Sequence, residues 1–486
     1  MGYTGGRMKR LKTYLTDEHG VYKWEWVVLG LLLMIPFISF AYGDLKSIIH
    51  YEINFTGSIL KGGGLQNFYT YCMNQVKFYI DHSIEGVSYA TYDFPMYIVL
   101  GIWGIPLYIY EQIIGIDPTY FFWPLFYGKS IYIVALVISA YLIYRICKEL
   151  GINSQNSIWG SFGFASSILV VANVCIIGQS DILGIVWILL GILALLQKKE
   201  WKFVIYFMIA ISFKQFALFI FVPLLLLTDK RIIRIIGKMI VAVSLTLVSG
   251  IPFYGNTEAM EIKKKFSNEM LEMLTAAKIP FLNREIPLVI ILLGGLCLFC
   301  FLKNELMEED LRKKYIIYIS FLSMGIVFSS FDFNPYWGLY LAPFLAIVLV
   351  ANTSETYHNF LLETIGMGAL TLAHYSAYSW CYDISNTKAM FWNKLFGALD
   401  YEGFWIRMNM VTKALKIDDY CDYIFAVYLL CLWAILWKNR PEKIRITDQK
   451  INYRRFMVQR LAVNMLIVAI PFGFIFLNIA AFVMQH

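Results

Sequence analysis

Apolar stretches of roughly twenty residues follow one another along most of this chain, and they constrain its fold more than any other feature. A helix needs about 20 mostly apolar residues to cross the hydrocarbon core of a bilayer. Runs such as Trp26 to Tyr42, Ser157 to Ile177 and Ile182 to Leu196 meet or approach that length. Backbone polar groups in hydrocarbon must be satisfied within the segment, so such runs form helices. Composition agrees, with 59% of the 486 residues hydrophobic and 15% charged. A water-soluble domain of this balance would leave too much apolar surface exposed. The sequence therefore predicts an all-α polytopic transmembrane bundle of about 11–13 spans. The first run has a basic flank but no small-residue cleavage site, so it reads as a retained span rather than a cleaved signal. The net charge of +7 does not point to nucleic acid, because the basic residues sit in short loops between spans.

Those loops orient the chain. Arg7, Lys9, Arg10, Lys12 and Lys23 precede the first span, which places residues 1–24 in the cytoplasm. Later basic groups fall at Arg145 and Lys148, at Lys198-Lys199, at Lys230-Arg231-Arg234, from Lys303 to Lys314 and from Lys438 to Arg460. Keeping all of them on the cytoplasmic side requires that Pro95 to Ile114, interrupted by Gly101, Gly104 and Pro106, does not cross. That piece reads as a re-entrant or surface-lying helix pair. It belongs to an extracytoplasmic loop, 43–130, with an amphipathic piece from Leu45 to Leu60 and a Lys61-Gly62-Gly63-Gly64 breaker. Ile131 to Ile146 is then the second span. Phe203 to Phe213 and Phe216 to Leu227 are both short and read as a pair meeting at Lys214-Gln215 on the outer side. The resulting organisation is a transmembrane core over 25–351 and a C-terminal transmembrane region over 352–486 with an outer loop at 378–422. The eight cysteines show no metal spacing. Cys297 and Cys300 lie inside an apolar run without a second pair or a nearby His, and read as lipid- or core-facing thiols. A disulfide among Cys72, Cys381 and Cys421, all expected outside, is compatible with the sequence and not required by it.

Polar groups in or near a membrane are costly to keep, so each is a functional candidate. Gly178-Gln179-Ser180-Asp181 joins two apolar runs. Its side chains serve either as helix caps, worth ~1 kcal/mol each, or as a binding turn. Asp44 follows the first span directly, either as an interfacial cap or as a general base for an acceptor hydroxyl. Asp93 precedes Phe94-Pro95, a helix-start pattern in which a cap is the simpler role. Lys129 opens the second span, either snorkelling to the interface or contacting a phosphate. Lys214 lies between two short apolar runs and reads as an anion site. Tyr336, after Asp332 and Asn334, reads first as an interfacial anchor. Expected on one side of the membrane, these carboxylates and ammonium groups are the equipment for moving a group from a phosphate to a hydroxyl.

In these residues the chain resembles the GT-C superfamily of membrane glycosyltransferases, especially its bacterial, polyprenyl-phosphate-sugar-dependent, mannosyltransferase-like branch. The resemblance runs up to Ala351 and is a pattern rather than a close match. Asp44, with Tyr51, Gly62 to Gly64 and Phe68-Tyr69 after it, resembles the acidic first outer loop of that family. Tyr92-Asp93-Phe94-Pro95 resembles its Tyr-Pro-Pro-Leu-type stretch, with Phe94 in place of one proline. Lys129 falls where many members place an Arg. Gly178-Gln179-Ser180-Asp181 is similar to a recurring Gly-Gln-Xaa-Asp turn, Lys214-Gln215 to a Lys-Pro/Gln element, and Asn334-Pro335-Tyr336 to a late polar-Tyr turn.

The resemblance implies an inverting transfer, on the extracytoplasmic face of the cell membrane, of a sugar from a polyprenyl phosphate. The acceptor is a hydroxyl on a glycan, a glycolipid or a protein. Asp44 is implied as the base, but Leu45 follows it where some members carry a second acid, so Asp93 and Asp181 stay in contention. Lys214 and Lys129 are implied phosphate ligands, with Gln179, Gln215 and Tyr336 as further donor contacts. No cofactor is demanded, and a divalent metal is compatible but not required. The rival classes are a lipid-linked oligosaccharide flippase and a polysaccharide polymerase. A flippase would show inverted repeats, and none is visible. A polymerase would carry an Arg-rich outer loop, whereas the two large outer segments hold one Arg each, Arg284 and Arg407.

Overall fold

Glycine and proline mark some of the places where the long apolar runs break. The computed structural model describes residues 12–40, 43–81, 88–303, 308–378, 408–447 and 450–485. Helix α1 is Lys23–Ser39, α2 is Gly43–Leu60 and α3 is Phe68–Asp81. The Gly-rich breaker between α2 and α3 holds Gly63 and Gly64 at positive φ. Then come α4, Phe94–Trp103, and α5, Ile105–Ile114, bent by 58° to each other. Pro106, in the first turn of the second helix, cannot continue the hydrogen bonding of the first. Gly104 at the junction lets the chain pass close to α2, since a Cβ there would stand 2.4 Å from Glu52 Cβ. The second predicted span lies inside the long helix α6, Phe122–Glu149.

The run from Ser157 to Ile177 is not one helix. It is α7, Ser154–Ala165, then a bend of 40° at Ser166-Ser167 and a segment, Ile168–Ile177, that closes in a π-helical turn. Beyond Gly178 follow α8, Asp181–Leu196, α9, Glu200–Phe213, and α10, Ala217–Thr228. Helices α9 and α10 break at Lys214, as their short apolar runs predict. Next are α11, Ile232–Gly250, and α12, Thr257–Leu274. A small antiparallel hairpin comes after them, β1 Lys278–Phe281 with β2 Arg284–Pro287, pairing Lys278 with Pro287 and Phe281 with Arg284. The chain continues with α13, Leu288–Leu302, α14, Glu309–Val327, and a 3-10 segment, Pro335–Leu341, that leads into α15, Ala342–Ala351. It ends with α16, Thr356–Ala377, α17, Met408–Ala414, α18, Cys421–Lys438, and α19, Arg454–Gln485.

Among the described residues four stretches are single helices long and apolar enough to cross a membrane: Phe122–Glu149, Ile232–Phe253, Asp418–Lys438 and Arg454–Leu477. The number rises to 8 if each bent pair counts as one span, and α8, α10 and α13 are shorter apolar helices beside them. On α11 the side chains of Ile233, Ile236, Ile240 and Leu247 are largely exposed, the surface that lipid would cover. Helix α8 packs between α6 and α9, and this trio carries most of the candidate site.

Contacts between loops separate two ends of the molecule. At one end Gln197 meets Glu149, Lys198 meets Glu309, Lys314 donates to the Ile444 carbonyl, and Lys438 reaches Glu355. Basic residues of the predicted cytoplasmic loops supply most of these links. At the other end Asp44 meets Gln179, Lys214 meets Asp181, Asn256 meets Thr70, and Lys263 meets Asp93.

Two arginines expected in the last basic loop lie elsewhere. Arg454 and Arg460 belong to α19 and are each 1% exposed. Arg460 makes a two-pronged ion pair with Glu363 of α16, at 2.6 and 2.7 Å. It also donates to the Gly163 carbonyl and to Ser166 Oγ, where the apolar run of α7 breaks, so Glu363 and the acceptors freed at the break together stabilise a charge inside the bundle. Cys300 is buried and Cys297 half-buried, while Cys72 and Cys421 are free thiols. Cys381 and most of the predicted outer loop 378–422 lie outside the described residues.

Candidate functional site

The turn that closes the π-helical segment organises the site. Gly178 has φ +73°, and its N–H and that of Gln179 both bond to the Asn173 carbonyl. A Cβ at Gly178 would stand 2.7 Å from Cε of Lys129, so glycine is required by conformation and by space. Among the described residues Ser180 makes no side-chain cap, and the Asp181 carboxylate accepts from no backbone N–H. The turn's side chains therefore do not serve as helix caps. They point to other segments instead.

Gln179 Nε2 donates to Asp44 Oδ2 at 2.7 Å, joining this turn to the start of α2. Asp181, whose side chain is fully buried, faces Lys214 Nζ at 3.4 Å. It also sits in the first turn of α8, where the helix dipole favours a carboxylate. Lys214 is an extended residue after the end of α9, and its side chain keeps 17% exposure. Its ammonium lies 4.7 Å from the ring centre of Tyr92, a cation–π contact. The buried hydroxyl of Tyr340 faces Asp181 from the 3-10 segment.

Asp44, Gln179, Asp181 and Lys214 thus converge from segments up to 170 residues apart. Asp44 is half-buried, whereas Asp181 is sealed behind Lys214. Gln179 Oε1 is buried and unbonded among the described residues. The arrangement offers an accessible carboxylate with one oxygen held, a partly exposed ammonium and unspent polar atoms between them. No group of three or more metal-ligating side chains occurs among the described residues.

Four other predicted residues sit differently. Lys129 is fully buried, and its ammonium donates to the carbonyls of Phe37, Phe40, Cys175 and Ile176. These are the carbonyl ends of α1 and of the π-helical turn, which carry partial negative charge and lack partners. Lys129 therefore pins two helix ends beneath Gly178, and its donors are taken before any phosphate arrives. Asp93 does not cap α4 but pairs with Lys263 Nζ at 2.6 Å. The Gln215 side chain is exposed next to Lys214. Tyr336 is buried and its hydroxyl accepts from Asn334 Nδ2, while Tyr340, four residues on, faces the acid.

Tyr340 was not singled out in the sequence, although a phenol within an apolar run was the signal. Tyr132 was missed as well. Its buried hydroxyl has no hydrogen bond among the described residues and lies within electrostatic reach of Asp44 and Asp181. Set against protein-family models, characterised proteins and solved structures, the chain matches none of them.

Proposed function

We propose that this protein is a membrane glycosyltransferase that moves a sugar from a polyprenyl-phosphate donor to an acceptor hydroxyl. The carrying observation is the convergence of Asp44, held by Gln179, with a partly exposed Lys214 balanced by Asp181. Asp44 takes the proton of the acceptor hydroxyl as its oxygen bonds to the anomeric carbon. The bond from that carbon to the phosphate oxygen breaks, and the electron pair leaves with the phosphate. One base and one stabilised leaving group suffice for such an inverting displacement. Lys214 stabilises the phosphate as its charge grows. Asp181 is the less apt base, because it is sealed and committed to Lys214. No resident cofactor is needed for these steps.

The basic loops gather at the end of the bundle opposite this cluster, which supports a cytoplasmic orientation for that end and an extracytoplasmic site. Asp44→Asn keeps an oxygen for Gln179 to donate to, so it should fold. Its transfer from polyprenyl-phosphate sugars to added acceptors should fall by ~10²–10⁴-fold, the usual weight of a general base. Turnover near that of the wild type in purified Asp44→Asn would remove Asp44 as the base.

A further inference from the structure

A second charge pair stands one residue from the site and has no role in the chemistry above. Lys263 Nζ lies 2.6 Å from Asp93 Oδ1, with side chains 20% and 13% exposed. Lys263 belongs to α12, a mostly exposed helix in the segment that links α11 to α13. The other ion pair that ties α12 down, Glu258 with Lys77, is 60% and 44% exposed and so contributes little. Around Asp93 the holds are closer. The Lys263 ammonium also lies 5.3 Å from the ring centre of Tyr69. Tyr69 Oη donates to the Tyr92 carbonyl at 2.7 Å, and the Tyr92 N–H donates to Tyr97 Oη at 2.9 Å. Tyr92 in turn presents its ring to Lys214.

We infer that Lys263 is a positioning residue for Lys214. It clamps Asp93 and Tyr69, these fix the backbone of Tyr92, and the Tyr92 ring keeps the Lys214 ammonium in place beside Asp181. An outer helix that contributes nothing to the reacting atoms thereby sets how the phosphate ligand is presented. The inference rests on the proposed function only for what Lys214 binds. The coupling itself is a matter of geometry and is read without any transfer assay.

The readout is the reactivity of Lys214 toward a small amine-acylating reagent, followed by mass spectrometry on the full-length protein, with exposed Lys264 and Lys265 as internal standards. Loss of one partner of a coupled, partly buried pair is expected to raise the relative acylation rate of Lys214 by roughly three- to tenfold. Lys263→Met and Asp93→Asn should each do so, and the double variant should add nothing to either. Lys263→Arg and the charge-reversed pair Asp93→Lys with Lys263→Asp should return the rate toward that of the wild type, which covers the case of a single variant that folds poorly. Tyr92→Leu should raise the rate by itself and make Lys263→Met silent. An unchanged Lys214 rate in folded Lys263→Met, or additive effects of the two single changes, overturns the inference. Failure of every donor in a transfer assay would instead count against the glycosyltransferase reading and leave this coupling standing.

Discussion

From the sequence Lys214, between two short apolar runs, reads as an anion site. In the structure a carboxylate is already beside it, because Asp181 lies 3.4 Å away and is wholly buried. That partner changes what removing the ammonium should do. An unpaired buried charge would be a burden, and its loss harmless. Removing one member of a buried pair strands the other at a cost of several kcal/mol. Lys214→Met should therefore lower stability by about 3 kcal/mol, and Lys214→Met with Asp181→Asn should recover most of it. Thermal unfolding in detergent decides this, and a Lys214→Met protein as stable as the wild type would show that the pair is not structural. On the proposed function, donor affinity should stay low in both variants, because each lacks the Lys214 ammonium. Gly178 gives a second test at this scale. Its φ of +73° disfavours any Cβ by ~1–2 kcal/mol, and a methyl there would press on the locked side chain of Lys129. Gly178→Ala should destabilise the protein and weaken transfer together, measured on one preparation.

Among the elements, the informative ones are those that break. Helix α7 stops at Ser166, and Arg460 of α19 fills that break with Glu363 beside it. Arg460→Met should cost ~3–5 kcal/mol, and replacing Glu363 as well with an apolar residue should restore much of that loss. Unfolding curves of the two variants measure the difference. The connection between α5 and α6 offers a pH test. Asp117 sits there against His50 Nε2 at 3.1 Å and accepts from the Thr119 N–H. Burial alone would raise its pKa, but the His50 imidazole and the Thr119 N–H outweigh burial and hold it below the usual carboxylate range. A carboxylate with a depressed folded pKa contributes stability that is present above its unfolded value, near pH 4, and is lost as the pH falls through the folded one. Asp117→Asn should therefore be less stable than the wild type at about pH 6, and should lose less on going to about pH 3. Equal slopes in the two proteins would show that Asp117 is not a source of the acid sensitivity.

For the molecule as a whole, the separation of its two ends makes a claim about orientation. A single cysteine in place of Asn268, on α12 at the site end, should react with an impermeant thiol reagent in sealed cells. One in place of Lys199, at the basic end between α8 and α9, should react only after the cells are opened. Native thiols would first be replaced. Labelling at position 199 in sealed cells would place the basic loops outside and invert the reading of the site. Apolar faces such as that of α11 are expected to contact lipid throughout, so this test belongs in a membrane rather than in detergent.

What the sequence by itself determined follows from short-range physics. Run length and composition dictate helices, Gly and Pro mark some of their breaks, and the bias of Lys and Arg sets the expectation of which loops share a side. Asp44, Gln179, Asp181 and Lys214 were legible because each is a polar group in a place where polarity is costly. The tertiary structure decided which of those groups meet and which are already satisfied. Lys129 and Lys214 look alike in sequence, one beside an apolar run and one between two. Only packing shows that the first is consumed by the carbonyl ends of two helices, while the second keeps an open side. Asp93 and Asp181 likewise differ by partner alone, Lys263 for one and Lys214 for the other. Tyr340 and the buried place of Arg460 were not legible. Their roles come from elements distant in the chain, and the field at a buried group is set by what folds against it rather than by its neighbours in sequence.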